Sequence, residues 1–237
     1  MNEIIAVSTD LTNREFLESY SRLGRVGLAV GQTLIDKAIR RAQRHQDAEK
    51  HWGLWSHSFL FEGQRADGHH WVIESDLEVA RKHIRLGVQE NRITKFFDDS
   101  YYSSLAVLDF GLSEEQVAAV VRSGLELVAG RARYSLRELF GTLFALRHPR
   151  FRGRENLLAR KQSLYCSAFV HYLFSQAGID LAPGIHEKNT TPEDIWRSMV
   201  PHTAYLLQRE PAQSTKPSLA ARLRRRAVSL LAKFAHR

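Results

Sequence analysis

Apolar and polar residues alternate along this chain at two different periods, and the changes of period mark out the elements. Residues 14–23 read as a helix capped by Asn13 and stopped by Gly24. Residues 25–30 read as a short strand. From 32 to 44 the apolar residues Leu34, Ile35, Ala38 and Ala42 recur near helical spacing, with Arg40, Arg41 and Arg44 on the wet side. The period then drops to two. Strands are predicted at about 57–61 and 69–75, joined by a turn containing Asp67-Gly68, with further strands near 84–88 and 104–110.

Helical spacing returns at Ser113 and Gln116, a capping-box pair. They head a stripe of Val117, Val120, Val121, Leu125 and Val128 that ends at Gly130. Residues 134–146 read as helical and 148–154 as a basic loop. A further helix runs from Cys166 to about 177, with Gly178 in the stop position. Thr191-Pro192-Glu193-Asp194 supplies a hydroxyl cap, a first-turn proline and two acids facing the positive end of the helix dipole. Residues 203–207 close the series as a strand. These elements predict an α+β fold, an antiparallel sheet packed against helices. Residues 1–210 form the body, 211–218 a polar linker and 219–237 a separate C-terminal helix.

Composition narrows the function classes. A chain of 237 residues can bury one good core, and 43% hydrophobic with 25% charged residues is ordinary for a globular protein. One cysteine excludes an intrachain disulfide framework and fits a reducing compartment. The N-terminus has neither the basic nor the apolar segment of a secretory signal, and no run of about 18 apolar residues spans a membrane. A cytoplasmic protein is expected. Seven cations and no acid lie between Pro211 and Arg237, so the first 210 residues carry only +1 of the +8 net charge. The body therefore gives no reason to expect nucleic-acid binding.

The basic tail has its own pattern. Ser218 can cap a helix whose stripe is Leu219, Leu223, Ala227, Leu230, Leu231 and Phe234. A basic amphipathic helix of this kind reads as lying on an anionic membrane surface; the alternative is docking on its own body. The expected membrane contacts are Leu219, Arg222, Leu223, Arg226, Leu230 and Phe234, at the inner face of the membrane.

Candidate chemistry centres on Cys166. A thiol at a helix start meets unpaired N–H groups that favour a thiolate and can hold an oxyanion. His57, at the head of a strand, can take the thiol proton and return it to a leaving group. Glu74 is the candidate to orient the imidazole. If Gly63 pairs with Gly68 across the turn, His57 lies opposite Glu74 on one face. A slip of one residue separates them. The competing reading is an inert core cysteine with a packed histidine. His171 falls on another helix face than Cys166 and reads as structural. His51 and His69-His70 lack a third ligand at zinc spacing, so no metal or cofactor is expected.

The order of these pieces resembles the circularly permuted papain-like amidases of the YaeF/YiiX type, relatives of NlpC-type peptidases and lecithin:retinol acyltransferase-like enzymes. There the histidine strand precedes the cysteine helix. Trp55-Ser56-His57-Ser58 resembles the family's histidine strand, Val72-Ile73-Glu74-Ser75 its "V-I-E-A" strand, and residues 129–135 its "G-x-x-Y-D/S" segment. Tyr165-Cys166-Ser167 resembles "Y-C-S-E" and Thr191-Pro192-Glu193-Asp194-Ile195 resembles "T-P-x-D-L". Phe59 stands where the family has glycine, and Ala168 where it has an acid. The resemblance implies a permuted papain-like (NlpC-like) topology and a Cys166–His57–Glu74 triad. It also implies a substrate and oxyanion pocket that includes Tyr165, Tyr134 and Ser167. The expected activity is hydrolysis of an amide bond through an acyl-enzyme. The alternatives are a lipid thioesterase or acyltransferase at a membrane surface, or an inactive membrane-binding module of the same fold. The substrate would be peptide-like or an acyl lipid.

Overall fold

The computed structural model describes residues 2–7, 9–77, 86–132, 136–154 and 164–209. The first elements are β1 (Glu3–Ala6), α1 (Asn13–Tyr20), β2 (Val26–Ala29), α2 (Leu34–Gln43), β3 (His57–Gln64), β4 (His70–Leu77) and β5 (Leu86–Arg92). They are followed by β6 (Ser104–Asp109), α3 (Glu114–Ala129), α4 (Leu136–Arg147), α5 (Cys166–Gln176), α6 (Pro192–Trp196) and β7 (Thr203–Gln208). Tyr134 and the whole tail helix, with Leu219, Arg222, Leu223, Arg226, Leu230 and Phe234, lie outside the described residues.

One local device starts α1, α2, α3 and α6. A Thr or Ser hydroxyl accepts from the third backbone N–H of the helix, and the side chain there reaches back to the cap N–H. The pairs are Thr12 with Glu15, Thr33 with Asp36, Ser113 with Gln116 and Thr191 with Asp194. Asn13 is therefore not the cap of α1. It is the first helical residue, fully buried, and its Nδ2 donates to the carbonyls of Phe96 (3.1 Å) and Tyr102 (2.9 Å).

The strands form one seven-stranded sheet in the order β1-β7-β6-β2-β3-β4-β5. Neighbours are antiparallel except the edge pair, where β1 runs parallel to β7 with Glu3 opposite Thr203. The fold is thus a mixed α/β sheet packed with six helices among the described residues, and the expectation of a purely antiparallel sheet is corrected. All four β1 residues are exposed, so no alternating pattern announced that strand.

The central strands are covered on both faces. One face carries Phe59, Phe61, Val72, Leu105 and Val107, packed with Phe16 and Leu17 of α1. The other carries Leu28, Leu60, Ile73 and Leu108, packed with Val120 of α3 and Phe169 and Leu173 of α5. Burial on two faces accounts for unbroken apolar runs such as Phe59-Leu60-Phe61.

Helix α2 is turned from the expected orientation. Its buried residues are Ile39, Arg40 and Gln43, whereas Leu34 is 86% exposed. Arg40 Nε donates to the Gly53 carbonyl and Gln43 Nε2 to the Trp55 carbonyl (2.7 Å). These polar chains satisfy the backbone of the segment that leads into His57, which apolar side chains could not do.

Candidate active site

The β3–β4 hairpin decides whether His57 and Glu74 meet. Near its turn, Gln64 pairs with His70 and Gly63 with Trp71. Carried straight along the strands, that register would set Leu60 opposite Glu74 and turn Glu74 away from His57. A bulge between Phe61 and Gly63 inserts one residue, and Leu60 then pairs with Ile73. Glu74 moves to the His57 face, two residues out of direct opposition. Gly63 thus pairs with Trp71 rather than the predicted Gly68, a shift of three residues that the bulge reduces to two at Glu74, and an even shift preserves the shared face. Gly63 has φ +89°, which a glycine adopts without the Cβ penalty.

His57 Nε2–H donates to Glu74 Oε2 at 2.5 Å. A carboxylate can only accept, so this bond selects the tautomer and leaves Nδ1 for another partner. Phe59 supports the ring: His57 stacks at 6.0 Å from Phe59 and 6.2 Å from Phe96. Phe59 fits because Gly27 lies opposite it on β2; a Cβ there would come 2.2 Å from the ring.

Glu74 is fully buried and is held by three side chains. Besides His57, Asn91 Nδ2 and Lys95 Nζ each donate to Oε1 at 2.6 Å. Lys95 also pairs with Asp76. Burial by itself would raise the Glu74 pKa, but the Lys95 charge and the His57 bond hold it well below the ordinary 4.5. Burial likewise opposes the Lys95 ammonium, and attraction to Glu74 and Asp76 raises its pKa. Burial would lower His57. Its hydrogen bonds to Cys166 and Glu74, with their negative charge, raise it well above 6.5. The cluster is built to keep the imidazole protonated beside an ionised Glu74.

Cys166 is the first residue of α5, and its side chain lies close enough to His57 to help raise the imidazole pKa. Three residues pin the start of that helix to one loop. Tyr165 Oη and Ser167 Oγ both donate to the Thr190 carbonyl, at 2.6 and 2.8 Å, and His171 Nδ1 lies 2.6 Å from Thr190 Oγ1. The hydroxyls of Tyr165 and Ser167 are thereby engaged with protein groups. His171 is a strut, also bonded to Asp180 at 3.0 Å. Tyr165 gives the helix no side-chain cap, so the cap does not occupy the N–H groups of the first turn.

Cys166 is 3% exposed. The space beside it, about 10 Å³, is lined by Ile39, Gln43, Thr142, Leu146 and Pro192 and holds about one water. Larger cavities lie elsewhere. One of about 910 Å³ follows the outer side of α3, and one of about 620 Å³ lies between α2 and α4. Among the described residues no group of three or more His, Cys, Asp or Glu side chains can hold a metal ion. No described helix is long and apolar enough to cross a membrane.

Asn91 and Lys95 were not among the candidates read from sequence. Asn91 is one polar residue in a polar strand segment, and Lys95 is a single lysine in a short 3-10 turn, Ile93–Phe96. Neither carries a pattern; only the fold aims them at Glu74.

No protein-family model matches the chain, and no curated protein is significantly similar to it. Among solved structures, the chain is similar to the crystal structure of the protein described as metalloprotein YiiX from Escherichia coli O157:H7. The match has 12% identity and a TM-score of 0.49, and covers 81% of this chain and 98% of that one.

Proposed function

We propose that this chain is a cysteine hydrolase that cleaves an amide bond through an acyl-enzyme. One observation carries it: His57 is bonded to the buried carboxylate of Glu74 at 2.5 Å, and Cys166, the only thiol of the chain, lies near enough to help raise the imidazole pKa. In this reading Cys166 is the nucleophile, His57 the base and acid, and Glu74 the orienting group. The sulfur attacks the carbonyl carbon as its proton resides on Nδ1 of His57. That proton then passes to the leaving amine as the C–N bond breaks. Water, giving a proton to His57, attacks the thioester, and release of the carboxylic acid regenerates the thiol. In this reading the N–H groups of the first turn of α5, which no side-chain cap occupies, receive the oxyanion. In fold terms the histidine strand before the cysteine helix is the order of a permuted papain-like domain.

The test is labelling by iodoacetamide followed by mass spectrometry. We expect stoichiometric modification of Cys166, faster than a small thiol at matched pH and slowed at least tenfold in His57→Ala. Labelling no faster than the small thiol, or unaffected by His57→Ala, overturns the assignment.

A further inference from the structure

We infer that the outer face of the α2–α4 pair docks on an anionic lipid bilayer. Helix α2 packs against α4, and their outward sides form a cleft of about 620 Å³. Its lining combines apolar side chains, Leu34, 86% exposed, Phe144, 48% exposed, and Trp52, with basic ones, Lys37, Arg41, Arg44 and Arg147. No carboxylate is among the described residues that line it. The two nearest acids on α2 and its following turn are occupied: Asp36 caps Thr33, and Asp47 holds His51. A positive field is present there, since His45 has a lowered pKa through burial and through Arg44, Lys50 and Arg147.

Exposed apolar side chains interleaved with cations match the boundary between acyl chains and anionic headgroups. A nucleic acid would use the cations but leave Leu34 and Phe144 in water. This face is formed by described residues of α2, α4 and the segment between α2 and β3, and none of residues 219–237 is among them. It also stands apart from any turnover by Cys166, although the inner sides of the same helices supply Ile39, Gln43, Thr142 and Leu146 beside that thiol.

Hydroxyl-radical footprinting of the full chain reads this face directly, with sedimentation on phosphatidylcholine vesicles with or without phosphatidylserine. We expect oxidation of Leu34 and Phe144 to fall several-fold with the anionic vesicles and to stay unchanged with the neutral ones. Arg41→Glu combined with Arg147→Glu, both exposed positions, should remove that protection with the circular dichroism spectrum retained. Sedimentation without protection of Leu34 and Phe144 means docking through another surface and overturns the inference, as does failure to sediment. Equal protection by polyglutamate or by an RNA oligonucleotide in place of lipid also overturns it. None of these outcomes bears on the iodoacetamide test of Cys166, so the two readings fail separately.

Discussion

Replacing Lys95 with methionine keeps the length and apolar stem of the side chain and deletes its ammonium. Glu74, fully buried, then loses one of the two donors on Oε1, and Asp76 loses its ion pair. Breaking a buried pair by removing one partner costs roughly 3–5 kcal/mol, because the remaining charge stays desolvated. Asn91 and His57 still bond Glu74, and the Lys95 side chain is 19% exposed, which points to the low end, about 3 kcal/mol. For a chain of this size that corresponds to a melting point lower by about 6–12 °C. Urea denaturation at neutral pH measures the loss, and a cycle with Glu74→Gln isolates the pair. The double variant should be less destabilised than the sum of the single variants, since the neutral amide of Glu74→Gln no longer needs the cation. Kinetics give a second readout. Lys95 helps hold Glu74 ionised, so in Lys95→Met the acid limb of Cys166 alkylation should move to higher pH, and Lys95→Arg should largely restore it. A loss below about 1 kcal/mol with an additive cycle and an unmoved acid limb would refute the reasoning.

Two further outcomes follow from the same geometry. The Glu74 pKa is depressed, so its contribution to stability is present above about 4.5 and is lost as pH falls through the folded value; the His57 pKa is raised, so its contribution is present below 6.5 and is lost as pH rises through the folded value. The stability gap between the native chain and His57→Gln/Glu74→Gln, followed by urea titration, should therefore be widest between those limits and narrow on both sides; a gap constant with pH contradicts the ionised pair. Gly63→Ala should cost about 1–2 kcal/mol through its positive φ, since the nearest atom to the added Cβ is an ordinary 3.5 Å away; a neutral effect in thermal melts would mean that the bulge does not need that backbone conformation.

Much of the scaffold was legible because it is written in local signals. The capping pairs at Ser113 and Thr191, the stop at Gly178 and the strand runs of β3, β4, β6 and β7 depend on residues a few positions apart. The same device at Thr12 and Thr33 was equally local, and Asn13 drew the cap assignment away from Thr12 only because both residues are good caps. Misreading α2 had another cause. Its exposed Leu34 and buried Arg40 invert the usual sorting of apolar from charged, and the Gly53 carbonyl, which accepts from Arg40 inside, is not legible in the sequence. Edge strand β1, with no buried residue, had no pattern to read.

The sequence by itself determined which residues could do chemistry: a lone thiol at a helix head, a histidine at a strand head and an acid on the following strand. Tertiary structure decided that the histidine and the acid bond to each other. Face parity in the hairpin depends on one extra residue near Gly63, and a bulge is a property of the paired strands, invisible in either strand alone. The charge state of the cluster was decided the same way. Glu74 stays ionised in the core because Asn91 and Lys95, 17 and 21 residues further on, are folded onto its oxygen. Electrostatic interaction depends on distance through space and on exclusion of water, and neither quantity exists until the chain has closed around it.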